Sequence, residues 1–160
     1  ANALNPQDPT PDYEISRIYL LDGIYNKAIQ YAELAVEDSP EDPLMHGNLG
    51  VLYARNNEYN EALEELTLAV RGGTTEEETV VKGVPLSYRA RVIEIFSSYG
   101  LTLARTDRCE EAVPIFQLML SQVSEDEIAV INATEGLNIC TAQLDEITPS
   151  PELTITPESN

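Results

Sequence analysis

The chain has 160 residues, 42% of them apolar, enough for one domain with a sizeable core but not for a second, catalytic domain beside it. Only 9 Lys and Arg stand against 28 acidic residues, a formal charge of −19, so nucleic-acid backbones and anionic lipid head groups are expected to be repelled. No run approaches the roughly 18 apolar residues that span a bilayer, so membrane insertion is not expected.

The opening ANALNPQDPT and the closing DEITPSPELTITPESN are rich in Pro, Ser, Thr, Asn and acidic side chains. With too little apolar content to form a core, they read as extended arms over 1–10 and 145–160. The first residues, Ala1-Asn2-Ala3, lack methionine, as in a chain whose leader has been removed or that has been trimmed.

Between the arms the pattern is helical. Asp12 to Leu21 is predicted as a helix with Pro11 in its first turn, and Tyr25 to Asp38 as the next, stopped near Ser39-Pro40. Asp42-Pro43 opens a third that runs through Leu49, Leu52 and Tyr53 to Asn56, and Tyr59 to Arg71 follows before Gly72-Gly73 ends it. The stretch GGTTEEETVVKGVPLS, an insert over about 73–88, is predicted to hold a short helix after Thr75 and an extended apolar piece from Val80 to Leu86. Leu86 to Ala104 reads as a long helix. Asp107 and Glu110 have capping-box spacing ahead of a helix from Arg108 to Gln122, which Pro114 should kink. Ser124 and Glu127 repeat that spacing before a last helix, to about Leu144. The acidic residues spread through these helices read mainly as solvated faces.

Two stretches say the same thing. Leu49-Gly50-Val51-Leu52-Tyr53 is followed by Glu61-Ala62-Leu63, and Tyr99-Gly100-Leu101-Thr102-Leu103 by Glu111-Ala112-Val113. Ser16, Tyr19 and Ala28 form a weaker third copy, and Ala28 and Ala62 lie 34 positions apart. With this period and these residues, the chain resembles the tetratricopeptide repeat (TPR) family from about residue 9 to 144. Taking Pro9, Pro43 and Ile93 as repeat starts, the family's small eighth residue is Ser16, Gly50 and Gly100, and its twentieth-place alanine is Ala28, Ala62 and Ala112. The bulky twenty-fourth place holds Ala32, Leu66 and Phe116, and the tryptophan place Asp12, His46 and Phe96. The resemblance implies an all-α fold: a right-handed α-solenoid of three TPR helix pairs, over about 9–42, 43–76 and 93–126, plus a C-terminal capping helix over 127–144. The small residues are expected where helix axes cross at about 8–10 Å.

Family members commonly bind extended peptides on a concave face made by the first helix of each pair. By that resemblance the groove holds Tyr13, Arg17, Leu21, Leu44, Asn48, Val51 and Arg55, then Ser97, Ser98, Leu101 and Arg105, with Ile131, Glu135 and Asn138 from the cap. Of the lysine, asparagine and arginine set that clamps chaperone C-terminal tails only Asn48 is kept, so that ligand is not expected. Arg17, Arg55 and Arg105 recur along the groove, either to accept an acidic or backbone-rich segment or to pair with neighbouring carboxylates. Successive helices in the family run antiparallel, which would bring Cys109 near Cys140, either as a disulfide or as two buried thiols. A bridge would imply an oxidising compartment.

His46, the sole histidine, reads as a packed helix residue. Asn132-Ala133-Thr134 matches the N-glycosylation pattern but falls in a predicted helix, whereas Thr148 and Thr154 lie in a Pro/Ser/Thr segment suited to O-glycans. No phosphate loop, calcium loop, metal-spaced set or catalytic triad is legible, so no enzyme activity, cofactor or metal is expected. Two functions fit. The first is a non-enzymatic scaffold, a monomeric adaptor or the regulatory domain of a larger complex or enzyme, that holds an extended segment of another protein. The second is a self-assembling subunit of a secreted or cell-surface filament, in which the arm of one copy, with Leu153 and Ile155 alternating against Thr154 and Thr156, enters the groove of the next. A cytoplasmic location also fits the scaffold.

Overall fold

The computed structural model describes residues 8–147, with side chains to Ala142. Most of the two arms, Thr148, Thr154, Leu153 and Ile155 included, lies outside the described residues. The fold is all-helical: α1 (Thr10–Leu21), α2 (Tyr25–Asp38), α3 (Pro43–Arg55), α4 (Tyr59–Arg71), α5 (Ala90–Arg105), α6 (Cys109–Gln122) and α7 (Glu127–Ile147). Each helix packs on the next in chain order, and α3 also meets α5 as α5 meets α7.

The three short turns within the pairs are built alike. Gly23, Asn57 and Asp107 each take a left-handed backbone, with φ of 71°, 65° and 59°. In each turn the following amide donates back to a carbonyl of the preceding helix, Ile24 to Tyr19, Glu58 to Tyr53 and Arg108 to Leu103, all at 2.9 Å. This is the six-to-one bond of a Schellman stop, a conformation that Gly, Asn and Asp tolerate best. Asp107 therefore closes α5 instead of capping α6, and the capping box with Glu110 does not form; the Arg108 side chain bonds Glu111. The box expected from Ser124 is likewise replaced. Asp126 caps α7, its carboxylate accepting from the Ala129 amide at 2.9 Å. The Asp42 cap is present, accepting from the Leu44 amide at 2.8 Å.

The spaced small residues are buried contact points. Ala28, Ala62 and Ala112 have no exposed surface, nor have Ser16, Leu66 and Phe116. A Cβ on Gly50 would come 2.6 Å from Leu66 Cγ, and one on Gly100 2.5 Å from Phe116 Cε1, so glycine is what lets α3 approach α4 and α5 approach α6. Phe116 is gripped from a second side, because a Cβ on Gly136 of α7 would overlap its ring. α6 continues through Pro114 as one helix, and the acceptor deprived of its donor is the Glu110 carbonyl near the helix start.

The insert differs from expectation. In place of a short helix after Thr75, Gly73–Thr74 (β1) pairs antiparallel with Val80–Val81 (β2), and the turn between them closes through Thr75 N to Thr79 O at 2.9 Å. Glu76, Glu77 and Glu78 give a helix no apolar face to bury, whereas the β-branched residues around them suit a ribbon, from which Val81 reaches the interior. The predicted long helix starts at Ala90 and not at Leu86, and Val84 instead donates to the Ala69 carbonyl at 2.8 Å, holding the connection against α4.

Candidate functional site

Side chains of α1, α3, α5 and α7 line two cavities that share Arg17, Arg91 and Glu94. The wider, of about 520 Å³, lies among α3, α5 and α7 and is reached by Arg17 from α1. It brings together Arg17, Arg55, Ser97, Ser98, Leu101, Arg105 and Glu135 of the expected set. A narrower pocket of about 10 Å³, room for one water-sized group, is bounded by Tyr13, Arg17, Asn48 and Val51 of the expected set, and by Arg91 and Glu94. Leu21, Ile131 and Asn138 line neither cavity; Leu21 is 86% exposed at the free edge of α1.

Asn48 borders the narrow pocket and is buried. Its amide Nδ2 donates to Ser16 Oγ at 2.8 Å, and Ser16 in turn donates to the Tyr13 carbonyl at 2.7 Å, which fixes the direction of the chain of bonds. Asn48 Oδ1 is left without a donor among the described residues. A buried acceptor with no partner costs about 1–3 kcal/mol, a cost that an N–H entering the pocket would remove.

The groove cations fall into two kinds. Arg17 bonds Glu94 at 2.9 Å, and Arg91 bonds Glu14 at 3.2 Å with its guanidinium 4.3 Å above the Tyr13 ring. Both pairs tie α1 to α5, and being partly exposed each contributes up to about 1 kcal/mol. Arg91 lies outside the groove set drawn from the sequence, although Glu14-x-x-Arg17 and Arg91-x-x-Glu94 carry opposite charge orders at the same helical spacing. Arg55 and Arg105, each in the last turn of its helix, have no side-chain hydrogen bond or ion pair among the described residues. Four of the chain's nine Lys and Arg thus line one cavity, alongside Glu94, Asp126 and Glu135. Burial raises the Tyr13 phenol above its ordinary pKa, and Arg17 and Arg91 partly offset the rise.

A second trough, formed by α2, α4, the β1–β2 ribbon and part of α3, is lined by Glu33, Glu37, Glu64, Glu65, Glu76 and Glu77. Here His46 is buried, with Nδ1 2.6 Å from Glu65 and Nε2 2.7 Å from the Pro40 carbonyl. Both partners accept, so both ring nitrogens must donate. Burial opposes the imidazolium, but the bonds to Glu65 and Pro40, with the charges of Glu65 and Asp42, outweigh it and raise the pKa above the ordinary value.

Cys109 at the start of α6 and Cys140 near the end of α7 form a disulfide, with Cα atoms 5.4 Å apart. Asn132 lies inside α7 with its amide donating to Ser97 Oγ at 3.1 Å in the groove. Among the described residues no group of His, Cys, Asp and Glu is placed to hold a metal ion, and no helix is long and apolar enough to cross a membrane. Comparison with protein-family models gives no match, and comparison with curated proteins gives none either.

Proposed function

We propose that this chain is a tetratricopeptide-type α-solenoid that acts without catalysis, as a scaffold holding an extended protein segment in the groove of α1, α3, α5 and α7. The like-built turns, the buried small residues and the packing of each helix on the next in chain order support the repeat reading. The observation that carries the binding function is the buried Asn48 Oδ1, which has no donor among the described residues and belongs to a side chain that borders the narrow pocket. Helical partners bring no free N–H along their length, so an extended segment is the better match. The disulfide favours an oxidising, extracytoplasmic setting.

The test begins with peptides selected from a random dodecapeptide phage library on the wild-type chain. Asn48→Leu removes the acceptor and keeps the volume, and should weaken the selected peptides about tenfold or more, the worth of a buried hydrogen bond. Glu64→Gln in the acidic trough should leave them unchanged. Peptides indifferent to Asn48→Leu but sensitive to Glu64→Gln would move the binding surface to the trough and end the groove reading.

A further inference from the structure

Arg55 and Arg105 line the wider cavity with no ion-pair or hydrogen-bond partner among the described residues, which is unusual in a chain of charge −19. A long acidic run would be repelled by such a chain, so the fitting ligand is an extended segment with isolated carboxylates and no cations. Residues 148–160, TPSPELTITPESN, have that composition: Glu152 and Glu158 are their ionisable side chains, with no Lys, Arg or His. Pro149, Pro151 and Pro157 disfavour a helix, and Leu153 and Ile155 alternate with threonines.

We propose that residues 148–160 of the same chain occupy the groove, with their carboxylates on Arg55 and Arg105, and so compete with any outside segment. The proposal rests on the groove reading above and adds its intramolecular occupant. Reach permits it. Glu135 of α7 lines the cavity, and Ile147 ends the helix twelve positions later, about 18 Å along its axis. About five fully extended residues bring the chain back that distance, which would put Glu152 at the rim and leave Leu153 to Glu158 for the cavity itself. A tether this short supplies an effective concentration of about millimolar, so weak contacts suffice.

The test uses the full chain as wild type, as E152Q/E158Q and as R55Q/R105Q, each checked for helicity by circular dichroism. A fluorescein-labelled synthetic peptide of residues 148–160 is titrated against each by anisotropy, with size followed by light scattering. With the competing segment disabled, E152Q/E158Q should bind the peptide about tenfold more tightly than wild type, and R55Q/R105Q should bind it least. Equal, tight binding by wild type and E152Q/E158Q would show the groove open in the wild type, overturning the occupant while leaving the groove reading intact. Binding equal in all three, or none at all, would show that this segment does not use the arginines. Wild-type oligomers that disappear in E152Q/E158Q would assign the segment to a second copy and overturn the intramolecular arrangement.

Discussion

Gly136→Ala separates the packing account of the C-terminal half from ordinary helix propensity. Alanine in place of glycine inside a helix normally stabilises by about 1 kcal/mol. At Gly136 the added methyl would overlap the Phe116 ring, and the ring has little room to shift, because α5 passes so close at Gly100 that even a Cβ there would clash with it, and Phe116 is fully buried. Overpacking of this kind costs about 1–3 kcal/mol or more, so the wild-type background should lose about 1–2 kcal/mol net, a fall in Tm of about 2–8 °C. In a Phe116→Leu background the ring atoms that Gly136 meets are gone, and the same substitution should stabilise by up to about 1 kcal/mol. Urea denaturation of all four chains gives the coupling, expected at about 2–3 kcal/mol. A Gly136→Ala substitution that stabilises the wild type, or costs the same in both backgrounds, would refute the three-helix grip on Phe116.

The raised pKa of His46 makes a pH-dependent contribution whose sign follows from linkage. It is fully present below the unfolded value of about 6.5 and lost as pH rises through the folded one, so the stability gap between wild type and His46→Gln should be widest near pH 5.5 and narrow on the alkaline side; a gap that widens with pH would contradict the imidazolium assignment. The disulfide closes a loop with a sequence separation of 31, for which chain entropy gives about 3.7 kcal/mol. Reductant should lower Tm by about 10 °C and leave C109S/C140S unaffected, whereas coincident melts with and without reductant would show that the bridge adds nothing.

Periodicity makes the helices legible from the sequence alone. Tyr25–Asp38 and Tyr59–Arg71 begin and end where apolar spacing and the flanking Pro and Gly put them, because an amphipathic face and its stop signals are local. The equivalent small residues are readable for a related reason, since a crossing that recurs leaves a recurring mark. Capping at Asp107 and Ser124 is misleading in the sequence because the same side chain can close one helix or open another, and only the backbone path chooses between the two; Asp107 goes left-handed. The Glu76–Glu78 segment misleads because its ribbon depends on Val81 finding an interior to enter.

The site divides in the same way. Arg17, Asn48, Arg55 and Arg105 are placed together from the sequence by the resemblance to the repeat family; helical periodicity by itself puts only Asn48 and Arg55, on α3, on a shared face. Which arginines are paired and which are not is decided by tertiary structure: it sets Glu94 opposite Arg17 and Glu14 opposite Arg91, and leaves Arg55 and Arg105 without an ion pair among the described residues. The lone acceptor of Asn48 also depends on a partner 32 residues away, Ser16, which fills one end of the amide and leaves the other open. Spacing along a chain determines faces; charge compensation and hydrogen-bond satisfaction depend on which faces meet, and that is a property of the packed molecule.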